Sequence, residues 1–148
     1  MLEMKALTAS WQLLALLAAA FASLTAIFAK IGVENISSDY ATFVRTVVVL
    51  LALGALLTLA GEWQPLGSVS ARSYAFLILS GFATGASWLC YFRALKLGDA
   101  ARVAPIDKLS VVLVAVFGVV FLGERLSTLN WLGVLCIAVG AVLVAHRG

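Results

Sequence analysis

Charge is scarce in this sequence. Asp, Glu, Lys and Arg together make up 11% of its 148 residues, against 64% hydrophobic ones. Soluble domains carry about 25% charged residues, so there is too little polar surface here to cover a soluble globule, and the chain belongs in a bilayer. Cysteine is also scarce. Cys90 and Cys136 each sit inside an apolar run without metal-like spacing, which argues against a disulfide framework or a metal site and for small buried hydrophobes. Histidine occurs once, at His146 in the tail, and no nucleophile with a base, metal-ligand set or phosphate loop is present. An enzyme, a cofactor and a bound metal are therefore not expected.

What the sequence does have is apolar length. A spanning helix needs roughly 20 largely apolar residues, and five such runs fit, at about 11–30, 41–60, 74–93, 104–122 and 129–145. The expected fold is an all-α integral membrane protein, a bundle of five transmembrane helices forming a single domain over residues 1–148. The net charge of +3 and the pI near 9.1 do not signal nucleic acid, because the basic residues are scattered at helix ends, where they read as topology and anchoring charges. The lipid bilayer is the expected partner. Ala18, Ala19 and Ala20 imitate a cleavage site, but apolar character continues past them to Phe28, so an uncleaved first span is expected.

Polar residues inside the runs are the candidate working parts. In the first run Ala19, Ser23, Ala26 and Lys30 share a helical face, for packing or for solute contact. Arg45 sits about one turn into the second run, placed to snorkel or to pair with Asp107. The third run places Ser80, Thr84, Ser87 and Tyr91 on one face, with Trp88 close by as an aromatic wall, and holds the close-crossing spacing Gly81-x-x-x-Gly85. The last run is free of formal charge and carries Gly133 and Gly140, which suit helix packing or an oligomer contact.

Residues 98–124 stand apart from a generic membrane protein. Pro105 suits a helix beginning at about residues 103–106, which would put Asp107 in the first turn and Lys108 about 100° round the helix. Asp107 is then either an interfacial cap or a charge facing a cavity. Counting spans alternately brings Lys30, Arg45, Arg93, Lys96, Asp107 and Lys108 to one membrane face. Lys30, Arg45 and Asp107 form a candidate shared site there, whose excess of cations favours an anionic or zwitterionic solute.

The order RALKLGDA, VAP, a long apolar run closing on LGE, then WLG and GVLCIAVGAVL resembles the EamA-type repeat of the drug/metabolite transporter superfamily. AFASLTAIFAKIG and the later Arg45 extend the likeness to the first two helices. Most relatives carry two such repeats and this chain has room for one, so it is similar to the half-length, five-helix branch. The resemblance implies one repeat of an inverted-repeat transporter, completed as an antiparallel homodimer or with a related half-transporter. It also implies a secondary transporter in the cell's inner membrane that exports a small metabolite or amphipathic compound. Coupling to protons would need a titrating acid in the cavity, for which Asp107 is the first candidate and Glu124 the second. The four-helix drug exporters of the superfamily use a glutamate in their first helix; this chain has no acid there, so their mechanism does not transfer. A non-transporting membrane subunit and a flippase of lipid-linked substrates are the alternatives. Lys5, Arg72 and Arg125 at one face oppose Arg102, Arg147 and the cationic cluster at the other, a weak bias of the kind expected from a chain that inserts both ways.

Overall fold

The computed structural model describes residues 10–146; Lys5 and Arg147, counted above towards orientation, lie outside the described residues. Among the described residues six α-helices make five spans. Helix α1 (Trp11–Gly32) is capped by Ser10, whose hydroxyl accepts from the Leu13 amide. Helix α2 (Ser38–Ala60) ends on Gly61, whose φ of 66° lets the Glu62 amide reach Leu57 O at 3.1 Å and the Gly61 amide reach Thr58 O at 3.3 Å. That double closure satisfies carbonyls a membrane helix end would otherwise leave open, and glycine alone adopts the left-handed φ without strain. A short 3-10 turn (Leu66–Ser68) leads to α3 (Ala71–Leu97), which begins on the capping hydroxyl of Ser70.

The fourth span is broken in two, α4 (Ala100–Asp107) and α5 (Ser110–Phe121). The sequence reading placed the helix start near Pro105 and Asp107 in its first turn. The helix instead starts at Ala100, after Asp99 O accepts from the Arg102 and Val103 amides, and Asp107 is the last residue of α4. Pro105 lies inside this helix and cannot give Ala101 its i→i−4 hydrogen bond. Beyond it the ladder tightens to i→i+3 bonds, Leu109 N to Ile106 O and Val111 N to Lys108 O, each 3.0 Å. A tightened stretch of this kind inside a span marks a joint. Lys96 and Arg102, which fall between the expected runs, lie within α3 and α4; Gly98 and Asp99 alone link the two. Gly123, with φ 69°, then turns the chain towards α6 (Thr128–Ala145), which starts on the capping hydroxyl of Ser127.

Each of the five spans is long and apolar enough to cross a membrane, taking α4 and α5 as one. Helices meet every backbone hydrogen bond internally, which the bilayer demands. Helix α3 packs on α1, α2 and α4, and α6 packs on α4 and α5. The tight packing gathers at one end, where α1 finishes, α2 starts, α3 finishes and α4 starts. Leu95 is 0%, Val33 1% and Phe92 3% exposed there, with Ala29 and Ala41 beside them.

Polar groups lock the same end. The Lys30 ammonium donates to Leu95 O at 2.6 Å and to Gly98 O at 2.8 Å, filling carbonyls that the end of α3 leaves open. Arg93 grips both carboxylate oxygens of Asp39, and Lys96 donates to Ile36 O at 2.5 Å. The other end of the bundle lacks such a cluster of buried side chains among the described residues.

Candidate functional site

Helix α2 starts at Ser38, so Arg45 stands two turns in, about 10 Å below the helix start at 1.5 Å per residue. A guanidinium at that depth needs a partner, and the structure supplies an aromatic one. Trp88 and Phe92 are one turn apart on α3, and the Arg45 guanidinium carbon lies 3.9 Å from the Trp88 ring centroid and 5.7 Å from that of Phe92. Arginine suits this contact because its charge is delocalised and weakly hydrated, and a desolvated cation–π contact is worth about 2 kcal/mol. Arg45 and Asp107 form no ion pair: the ion pairs among the described residues join Arg93 to Asp39, Arg102 to Asp99 and Lys108 to Asp107.

Arg45 and Asp107 nevertheless share one pocket of about 180 Å³. Thr25 of α1, Arg45 of α2 and Ser87, Trp88 and Tyr91 of α3 line it, and Asp107 and Lys108 from the joint between α4 and α5 close it. The Lys108 ammonium lies 3.2 Å from an Asp107 oxygen. The pocket thus holds two cations, one anion, hydroxyls and three aromatic rings, those of Trp88, Tyr91 and Phe92. Such a mixture can orient a small charged solute against an apolar wall.

Of the residues singled out in the sequence, Arg45, Asp107, Ser87, Trp88 and Tyr91 meet here. Ser80 and Thr84 do not; they lie exposed two turns and one turn before Ser87 on α3. Lys30 is also apart, spent on the end of α3. Thr25, Phe92 and Lys108 line the pocket without having been candidates. On a continuous helix Lys108 would stand about 100° round from Asp107; at the joint the two line the same pocket.

The small-residue faces behave differently from close helix crossings within the chain. A side-chain carbon added at Gly81, Gly85, Gly133 or Gly140 would meet nothing within 4 Å. Gly81 and Gly85 instead floor an open groove on α3, between Phe82 and Leu89. Ala19, Ser23 and Ala26 of α1 face Gly140 of α6 across a cavity of about 720 Å³, which also reaches Tyr91 and Lys108.

The five apolar spans define a multi-pass membrane protein, with a small charged pocket between four of them. More particularly, residues 9–146 match the EamA-like transporter family, and the chain belongs to it. The chain is 63% identical over 136 residues to a Sinorhizobium sp protein named "Uncharacterized transporter in cobO 3'region", a match covering 92% of this chain and 96% of that one. No solved structure matches the chain.

Proposed function

We propose that this membrane transporter is a secondary exporter of a small metabolite or amphipathic compound bearing an anionic or zwitterionic group, acting as an antiparallel dimer in the inner membrane. The observation that carries this reading is the charged, aromatic-walled pocket between α1, α2, α3 and the α4–α5 joint. In a chain with so few charges, two cations and a carboxylate turned into one internal pocket serve a solute better than they serve packing, since intramembrane charges are costly and mark pathways. Asp107 is the coupling candidate: it is the pocket's carboxylate and it sits at the joint, so a change in its charge acts on Lys108 and on the two half-helices together.

The test is solute movement in proteoliposomes, with imposed proton gradients, by the native chain and by Asp107→Asn. Loss of solute movement with assembly intact is the expected result. Unchanged movement would remove Asp107 from the mechanism, and no movement by the native chain of any small anion or zwitterion offered would favour a half-transporter that needs a related partner chain. The unfilled glycine faces of α3 and α6 suit that second reading.

A further inference from the structure

The charged pocket does not stop at Arg45. Beyond that side chain lies a second cavity of about 350 Å³, bounded by Phe28, Gly32, Ile36 and Ala41, so it lies against the α1–α2 loop at the packed end of the bundle. Thr25, Arg45 and Phe92 line both cavities, which makes Arg45 the movable part of the partition between them. Its hold is weak in direction. Among the described residues Arg45 donates no hydrogen bond and makes no ion pair, and stacking on Trp88 and Phe92 is what places it. No side-chain nitrogen among them is both buried and unpartnered, so the guanidinium N–H groups are open to the cavities rather than sealed.

The neighbouring charges decide what would engage it. Lys108 already has Asp107 at 3.2 Å, which leaves Arg45 as the pocket cation without a counter-ion. A planar guanidinium with free N–H groups matches a carboxylate bidentately, and that charge-assisted pair is stronger than a single stacking contact. At about 180 Å³ the pocket is smaller than a typical drug-sized site, so the solute is small.

We propose that Arg45 is a gate between the two cavities, and that a small carboxylate-bearing solute opens it by drawing the guanidinium off the Trp88 ring. This rests on reading the pocket as part of a solute path. Binding and passage are then one event: the group that recognises the carboxylate is the group that blocks the way to the loop-side cavity.

The test leaves Trp88 as the sole tryptophan, using Trp11→Phe, Trp63→Phe and Trp131→Phe, and titrates the purified full chain with butyrate and, separately, with butyramide. Butyrate should change Trp88 emission saturably, butyramide should not, and Arg45→Met should abolish the response. An equal response to both probes, a response that survives Arg45→Met, or no response to butyrate would each overturn the proposal. A second readout places a cysteine at position 87 by Ser87→Cys after Cys90→Ala and Cys136→Ala. A water-soluble cationic thiol reagent should label it faster in Arg45→Ala, by about thirtyfold, the rate equivalent of losing one desolvated cation–π contact; an unchanged rate would overturn the gate. The butyrate comparison uses native Arg45 and decides alone where that variant folds poorly. Solute movement in proteoliposomes with Trp88 unmoved would sink the gate and keep the transporter; a responding Trp88 in a chain that moves no solute would do the reverse.

Discussion

Lys30 shows how far a single side chain can differ from its sequence context. A lysine at the end of an apolar run reads as one that snorkels to the surface, and here it turns sideways into two main-chain carbonyls of the neighbouring helix. Main-chain acceptors leave no trace in sequence, because every residue has one, so this contact was not legible. Its energetic consequence is specific. Bonds from a charged donor contribute about 1.5–3 kcal/mol, and removing the donor leaves Leu95 O and Gly98 O unanswered at the end of α3. Lys30→Met is therefore expected to lower stability by about that much in denaturant or thermal unfolding in detergent. Asp39→Asn, which weakens an ion pair whose side chains are 50% or more exposed, is expected to cost less. An indistinguishable Lys30→Met would mean that water or lipid headgroups replace the clamp without loss.

At the scale of elements, the five apolar runs were legible because run length alone distinguishes a membrane helix, and each run corresponds to a span. The joint in the fourth span was not. Pro105 fits the first turn of a helix so well that the sequence argues for a start there, whereas the residues before it, Ala100 to Ala104, also favour helix and extend it back to Asp99. That one difference moved Asp107 from a helix start to a helix end and brought Lys108 into the pocket. Helix ends elsewhere depend on two glycines. Gly61 and Gly123 have φ of 66° and 69°, and although a side chain at either would meet nothing within 4 Å, it would have to hold a left-handed conformation. Gly61→Ala and Gly123→Ala should each destabilise by about 1–2 kcal/mol. Gly81→Ala, on a helical glycine with equal space within the single chain, should cost the monomer nothing and stabilise its helix by up to about 1 kcal/mol. Melting temperatures of the three variants in one detergent give the comparison, and equal shifts at all three positions would show that space rather than backbone conformation governs them.

At the scale of the whole molecule, the single chain is more surface than core. No more than 6% of the most apolar window of any span is buried inside it. Lipid can cover the exposed leucines and valines, but it offers little to a groove floored by Gly81 and Gly85 or to the cavity between α1 and α6, which a second set of helices would fill by close packing. An antiparallel copy would set two charged pockets around a pseudo-symmetric centre, which requires that the chain enter the membrane in both orientations. The structure sharpens how to test that. Lys30, Arg93, Lys96 and Arg102 stand at the packed end, and α6 finishes at that same end; Arg72 and Arg125 stand at the other. Cationic loops stay on the cytoplasmic side, and neither end dominates strongly. Paired reporters on the carboxyl terminus, one active only inside and one only outside, should therefore both signal for the native chain. Arg72→Gln with Arg125→Gln should drive the packed end and the carboxyl terminus to the cytoplasmic side and extinguish the outer signal. A native chain that signals on one side alone would exclude the self-sufficient antiparallel homodimer, and the glycine faces would then belong to a related partner chain.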